Sequence, residues 1–190
     1  DEWEVVESGI LVLGAIAQGC KALMADYMAK LLTFLLECLS HERSLVRNIT
    51  CFTIARYKDW IMHPDNAALE ATLEHLLRCV GDGSKVVQQA ACTALCSFFE
   101  QDNAGELLEP FLEPIVQQLV IAADGAYQRK SLICVYDAIN TLAERVGERL
   151  KPPQLSEQLM QCLLERWMNF SDTDPEQFAL MECLTSVVVA

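Results

Sequence analysis

The sequence lacks the residue patterns of the common catalytic and metal-binding sites. Its three histidines, His41, His63 and His75, form no HExxH motif, and no CxxC pair occurs among its cysteines. GxSxG and GxxxxGK[ST] spacings are also absent, and Gly81-Asp82-Gly83-Ser84-Lys85 is interpreted as a turn between helices rather than a phosphate loop. These absences predict a protein that is not an enzyme and uses no metal ion or cofactor.

Positive charge is scarce: 14 lysines and arginines face 27 aspartates and glutamates, for a formal net charge of −13. Direct nucleic-acid binding needs dense basic side chains, so DNA and RNA are excluded as expected partners. The charge favours a partner with basic segments. Acidity that serves only solubility remains an alternative.

Long uncharged apolar runs are missing as well. The longest, Ile10–Ala17, is bounded by Glu7 and Lys21 and falls short of the roughly 18 residues that a membrane span needs. The chain opens Asp1-Glu2-Trp3-Glu4, without the basic start of a secretory signal. We therefore expect no membrane contact. Nine cysteines, an odd number mostly at apolar helical positions, predict reduced core thiols in an intracellular protein.

What the sequence does contain is a repeated apolar helix, in a chain of which 52% is hydrophobic. The first copy carries small residues, Gly9, Gly14 and Ala17, where another helix could approach closely. Five copies align on Leu13, Ile54, Leu95, Ile139 and Leu184, with steps of 41, 41, 44 and 45 residues. A period of about 40–47 residues is typical of HEAT and armadillo repeats.

The predicted fold is therefore all-α, an α-solenoid of HEAT repeats in which antiparallel helix pairs stack as a right-handed superhelix. One continuous array is expected, divided into a half repeat at 1–20 and pairs at 25–62, 67–101, 106–147 and 153–190. The second helix of the first pair is predicted over Ser44–Met62, and Pro114 is expected to bend the helix that starts near Leu107. Both ends look like cuts, so we expect a fragment of a longer array.

Aligning the second helices places equivalent residues side by side, on the inner, concave face of a HEAT superhelix. The N-terminal part of this face is apolar and aromatic, with Leu11, Ile49 and Phe52 beside Arg56. Farther along it is acidic, with Glu100, Asp137, Glu144 and Glu182. This arrangement predicts a site for an extended peptide with a hydrophobic anchor and basic residues. Taken singly, Asp137 and Glu144 are equally well explained as ordinary solvated residues, and Phe52 as a core residue.

Several segments resemble the transportins, the karyopherin beta type 2 nuclear import receptors of the importin-beta superfamily. They are Glu7-Ser8-Gly9-Ile10-Leu11-Val12-Leu13-Gly14-Ala15-Ile16-Ala17, Leu45-Val46-Arg47-Asn48-Ile49-Thr50-Cys51, Ala55-Arg56-Tyr57-Lys58-Asp59-Trp60, Gln89-Ala90-Ala91-Cys92 and Tyr136-Asp137-Ala138-Ile139-Asn140-Thr141-Leu142-Ala143.

The resemblance implies a receptor that shuttles between cytoplasm and nucleus and binds cargo with basic proline-tyrosine nuclear localisation signals. By position, Leu11, Ile49, Phe52 and Arg56 would hold the Pro-Tyr end. Asp137 and Glu144 would face the basic part, with Glu100 close by. The resemblance also implies that Ran-GTP binds repeats absent from this chain, and that nucleoporins bind the full-length receptor.

Two positions depart from the family pattern. Phe52 stands where a Trp is usual, and Gln89 replaces an acidic residue. Two other functions stay open: a structural HEAT-repeat scaffold for a multiprotein complex, and a transportin specialised for arginine-serine-rich cargo.

Overall fold

The computed structural model describes residues 2–64, 67–126, 129–171 and 176–190, without the side chains of residues 21, 22, 126, 129 and 130. Over these residues the chain is helical and contains no strand. The α-helices are α1 Glu2–Met24, α2 Met28–Cys38, α3 Ser44–Arg56, α4 Lys58–Ile61, α5 Ala68–Val80, α6 Lys85–Phe99, α7 Ala104–Leu107, α8 Leu112–Ile121, α9 Arg129–Val146, α10 Pro153–Met168 and α11 Gln177–Val189. Short 3-10 turns occupy Ala25–Tyr27, Glu109–Phe111 and Gly147–Leu150, and a π-helical turn occupies Ala122–Ala126.

The chain divides into two compact units, unit 1 (Asp1–Phe98) and unit 2 (Phe99–Ala190). In unit 1, α1 packs against α3, while α2 packs against α3 and α5. In unit 2, α9 packs against α11 and α8 packs against α10, with α10 also contacting α11. Within each unit, the second helices of neighbouring pairs (α1 and α3, or α9 and α11) therefore lie against each other. The first helices (α2 and α5, or α8 and α10) do the same. This layering confirms the predicted all-α, HEAT-type fold class.

The apolar position on which the five repeated helices align contributes to the core of each unit. Ile54 and Leu95 in unit 1 and Ile139 in unit 2 are almost completely buried, whereas Leu13 and Leu184 are half-buried. First helices bury their own stripe at helical spacing, as α5 does with Leu69, Leu73, Leu76, Leu77 and Val80. The nine cysteines are free thiols, and six of them are buried among these apolar side chains.

Two predicted helices differ from those observed. The helix expected over Ser44–Met62 is interrupted at Tyr57, whose backbone leaves the helical conformation between α3 and α4. The bend expected at Pro114 occurs earlier, because Pro110 lies in the 3-10 turn that separates α7 from α8. Pro114 sits in the first turn of α8, where its missing N–H removes no helical hydrogen bond.

Helix α1 is long and apolar enough to cross a membrane by length and composition, over Glu2–Cys20 with a mean hydropathy of 1.2. A core helix of a soluble protein passes the same test. Only 17% of that apolar window is buried inside the structure, Ile10 and Ala17 included, and Glu2 and Glu4 begin the helix.

Candidate peptide-binding surface

Unit 1 carries the predicted apolar residues on two neighbouring helices. Leu11 on α1 and Phe52 on α3 are exposed by 57% and 40% of their surface, Arg56 is exposed, and Ile49 is half-buried. We call these four residues the apolar patch. Leu11 and Phe52 offer apolar surface to an aromatic or aliphatic anchor, and Arg56 follows Phe52 by one turn of α3.

Side-chain hydroxyls fix the register between the two helices. Thr53, next to Phe52, donates from Oγ1 to the carbonyl oxygen of Ile10 at 3.2 Å. One turn farther, the Tyr57 hydroxyl donates to the Leu13 carbonyl at 2.8 Å. Leu11 lies between these two acceptors in the sequence, so the bonds set it at the same level along the helix axes as the Phe52–Arg56 turn.

Gly14 permits this close approach. A Cβ at Gly14 would lie 2.9 Å from Thr53 Oγ1 and 3.7 Å from Arg56 Cδ, so the stem of Arg56 runs beside the bare glycine backbone. Gly9, which was expected to serve the same purpose, faces open space. A side chain at position 14 would therefore displace Thr53 from its hydrogen bond with Ile10.

Unit 2 contains a groove between the exposed faces of α9 and α11. It encloses about 520 Å³ and is lined by Asn140, Glu144, Phe178, Met181, Glu182, Thr185 and Ser186, which we call the acidic groove. Asn140 Nδ2 donates to Glu144 Oε1 at 3.2 Å and thereby orients that carboxylate. The groove thus combines two carboxylates with two exposed apolar side chains, Phe178 and Met181.

Asp137 lies on the same helix as Glu144, two turns away, and both side chains are exposed. Partial burial raises the pKa of the Asp137 carboxyl, and the nearby charge of Glu182 raises it further. That influence shows that Asp137 and Glu182 share one negative region beside the groove. Glu100 is exposed in the turn after α6, and none of the described contacts joins it to Asp137 or Glu144.

The site prediction missed Phe178 and Met181. Both are exposed, and both sit within one turn of Glu182, which the aligned register had already placed on this face. Residues at i−4 and i−1 from an exposed position flank it on a helix surface, so extending the register by one turn was the available signal.

The described residues contain no group of three or more His, Cys, Asp or Glu side chains that could hold a metal ion. The chemistry available at the apolar patch and the acidic groove is non-covalent recognition through apolar contact, hydrogen bonds and charge.

Comparison with known proteins gives a consistent relationship. A HEAT-like repeat family model matches residues 3–57. Human Transportin-1 is 44% identical over 190 residues, covering all of this chain and 21% of the relative. Importin subunit beta-2 of Schizosaccharomyces pombe is 41% identical over 195 residues, again covering the whole chain and 21% of the relative. Transportin of Dictyostelium discoideum is 40% identical over 186 residues, covering 97% of the chain and 20% of the relative.

This chain spans about a fifth of the length of the curated relatives it matches. The predicted resemblance is confirmed over its entire length. The chain is therefore homologous, from end to end, to a HEAT-repeat segment of the transportin family.

Proposed function

We propose that this chain forms part of the cargo-binding surface of a nuclear import receptor, and that it binds extended, basic peptides that end in a Pro-Tyr or similar apolar pair. The observation that carries the proposal is the division of exposed chemistry between the units. The apolar patch lies on α1 and α3, and the acidic groove lies on α9 and α11. The names of the relatives, transportin and importin, support a transport role.

The apolar patch suits the end of such a peptide. Leu11 and Phe52 are exposed apolar side chains on helices whose register is fixed by hydrogen bonds, so an anchor meets a preformed surface. Covering them removes apolar area from water at about 25 cal/mol per Å². Arg56 lies one turn from Phe52 and can donate to a tyrosine hydroxyl or a peptide carbonyl.

The acidic groove suits the basic part. Glu144 and Glu182 line it and Asp137 lies beside it, so a lysine or arginine entering the groove meets several carboxylates. Phe178 and Met181 can pack on the aliphatic stems of those basic residues. Opposite charges across an interface raise the association rate and the specificity, with strong dependence on salt.

The test is a titration of the 190-residue chain with a fluorescent basic peptide ending in Pro-Tyr, followed by anisotropy at low and high salt. We expect saturable binding that weakens as salt is added, and a weaker affinity for the same peptide ending in Ala-Ala. No saturable binding of the basic Pro-Tyr peptide would instead favour a structural scaffold.

The variant that tests the patch is Phe52→Ala, and Phe34→Ala is its matched control. Phe34 on α2 is exposed by 41% and Phe52 by 40%, so both changes remove the same exposed side chain from different helices. Phe52→Ala is expected to weaken binding by about 1–2 kcal/mol while Phe34→Ala leaves it unchanged. Equal effects, or loss of the circular dichroism signal with Phe52→Ala, would contradict the assigned role of Phe52.

A receptor for arginine-serine-rich cargo is the second candidate, since the acidic groove would also accept arginine side chains. Competition between a Pro-Tyr peptide and an arginine-serine peptide distinguishes the two. Binding of Ran-GTP and of nucleoporins, and movement between cytoplasm and nucleus, would belong to the full receptor and form part of the same proposal.

A further inference from the structure

A groove also lies between the first helices of unit 2, α8 and α10. It encloses about 400 Å³. Three glutamines line it, Gln117 on α8 and Gln158 and Gln161 on α10, and we call it the amide groove. None of its described lining residues belongs to α9 or α11, so a ligand here contacts a different set of helices from a ligand in the acidic groove.

Hydrogen bonds from α10 to backbone carbonyls of the preceding segment hold the two sides of the groove together. The Cys162 thiol donates to the Val120 carbonyl at 3.8 Å, and Arg166 donates from Nε to the Ala123 carbonyl at 2.7 Å. Arg166 Nη2 donates to the same carbonyl. Since backbone acceptors cannot rotate away, the groove is formed before a ligand arrives, and binding orders little of the protein.

Part of the lining is apolar. Val120, Ile121 and Cys162 contribute to it, and Ile121 is exposed by 60% of its surface. Such a surface accepts an aliphatic side chain or the methylene stem of a long polar side chain. Covering it removes apolar area from water, which favours binding.

The charged side chains of the lining, Asp124 and Glu165, are both acidic, and within the described residues the lining includes no lysine or arginine. Both carboxylates also act on the same buried thiol. Burial, with added contributions from the charges of Asp124 and Glu165, raises the pKa of Cys162 to about 11, although Arg166 opposes the shift. The groove therefore presents negative charge, which favours a cationic ligand.

The hydrogen bonds within the lining leave acceptor atoms for that ligand. Gln161 Nε2 donates to Glu165 Oε1 at 3.0 Å, and Gln117 Nε2 donates to Glu113 Oε1 at 3.3 Å. Each bond uses the amide nitrogen, so the amide oxygens of both glutamines and Oε2 of Glu165 can accept from a ligand. Arginine has five N–H donors in a planar fork and no acceptor. It matches several acceptors better than lysine, whose ammonium is compact and strongly hydrated.

We propose that the amide groove binds an arginine side chain within an extended segment of another protein. The guanidinium donates to Glu165 and to the glutamine oxygens, while Asp124 adds negative charge. Its methylene stem and the neighbouring residue pack on Ile121. Backbone groups of the segment bond the remaining amide groups, including that of Gln158. The interaction is independent of the Pro-Tyr peptide, because it uses the first helices of unit 2.

The experiment titrates the 190-residue chain with the fluorescent peptide Gly-Ser-Arg-Ile-Ser-Gly, which has capped ends and contains no proline, and follows anisotropy in physiological salt. The same peptide with Gln or with Lys in place of Arg provides the ligand controls. We expect saturable binding of the arginine peptide, about tenfold weaker binding of the glutamine peptide and about threefold weaker binding of the lysine peptide. These comparisons use the unsubstituted chain, so they hold even where a variant folds poorly.

Three variants locate the binding. Glu165→Gln should weaken binding of the arginine peptide about tenfold, because it removes a lining carboxylate and keeps the size of the side chain. Glu157→Gln is the matched control, since Glu157 is exposed on the same helix and lies outside the groove, and it should leave binding unchanged. Asp137→Lys, which alters the charge beside the acidic groove, should also leave it unchanged.

The proposal is overturned by absence of saturable binding of the arginine peptide, or by equal binding of the glutamine peptide, which would indicate an uncharged occupant. Equal losses with Glu165→Gln and Glu157→Gln would also overturn it. A larger loss with Asp137→Lys than with Glu165→Gln would place the peptide in the acidic groove, with the same consequence. Binding of the Pro-Tyr peptide is measured separately with Phe52→Ala, so either proposal can fail while the other stands.

Discussion

Units 1 and 2 are built from the same helix pairs but expose different chemistry. Unit 1 has 12 acidic and eight basic residues, whereas unit 2 has 15 and six. At the same position of the repeat, unit 1 exposes Leu11 and Phe52 and unit 2 exposes Asp137 and Glu182. Two positions later, the same helices carry Ile54 and Ile139, which are buried, and Leu13 and Leu184, which are half-buried.

The comparison shows that the fold and the exposed surface chemistry are encoded in separate columns of one repeat, a column being the equivalent position in each aligned second helix. Buried columns keep apolar side chains because each repeat needs its neighbours for a core. Exposed columns are free to change, so one architecture can present an apolar anchor in one unit and negative charge in the other. The following predictions test that separation, starting with the largest effect.

Removing the main ion pair of each unit should affect the two units unequally. The side chains of Arg47 and Asp82 in unit 1 are only 17% and 12% exposed, and Arg47 also binds two carbonyls. Arg47→Ala is expected to lower the free energy of unfolding by about 2–4 kcal/mol, because it leaves a partly buried carboxylate without its partner. In unit 2, Arg149 contacts Glu109 at 3.2 Å on the surface, so Arg149→Ala should lower it by less than about 1 kcal/mol. Urea unfolding measures the free energy of unfolding of both variants. Equal losses for Arg47→Ala and Arg149→Ala would contradict the expected difference between the units.

Reversing charge in unit 2 should affect binding rather than folding. Asp137→Lys places a positive side chain beside the acidic groove, and we expect about tenfold weaker binding of the basic Pro-Tyr peptide at low salt, or about 1.4 kcal/mol. The loss should shrink at high salt as the charges are screened. Glu157→Lys, at an exposed position on α10, is the control for net charge. An equal loss with Glu157→Lys would show that overall charge, and not the groove, is responsible.

Enlarging the aromatic surface in unit 1 should strengthen the anchor. Phe52→Trp adds apolar area at the patch and is expected to improve affinity for the Pro-Tyr peptide by about two- to fivefold. The gain should persist at high salt, unlike the effect of Asp137→Lys. Phe34→Trp provides the same enlargement outside the patch, and an improvement from that variant would argue against a local contact.

The smallest effect concerns the pH dependence of stability at Asp137. Because its folded pKa lies above the ordinary 3.8, ionisation of Asp137 disfavours the folded state, and that cost appears as pH rises through the folded pKa. Asp137→Asn should therefore stabilise the chain at pH 7 by less than about 1 kcal/mol, and the gain should vanish near pH 3. Unfolding of the Asp137→Asn variant and of the unsubstituted chain, each at pH 7 and near pH 3, measures this gain in stability. A gain that is larger at pH 3 would have the wrong sign.

Periodicity was sufficient to predict the fold, because Ile54, Leu95 and Ile139 recur at the repeat length and each is buried. It could not predict the break at Tyr57. That residue fits a continuous helix by pattern, but its hydroxyl bonds to Leu13, 44 residues away on a neighbouring helix. Helix packing therefore competes with local propensity there. Pro110 and Pro114 are equivalent by residue type, and only the actual start of α8 distinguishes them.

The candidate site was predicted in part. Register places Leu11, Phe52, Asp137 and Glu144 on exposed faces, and the structure agrees, while their roles in cargo binding stay predictions. The groove between α9 and α11 could not be predicted from a column of equivalent residues, since its walls come from the flanks of two helices. Phe178 and Met181 belong to those flanks.

The two hydroxyl bonds from α3 to α1 have a consequence for how quickly and how tightly any ligand binds unit 1. Thr53 and Tyr57 hold backbone carbonyls, which cannot rotate away as side chains can, so the separation between Leu11 and Phe52 exists before a ligand arrives. A bound segment then loses only its own freedom and orders little of the receptor. Weak individual contacts can accumulate on such a surface, and a short peptide can be retained and still released.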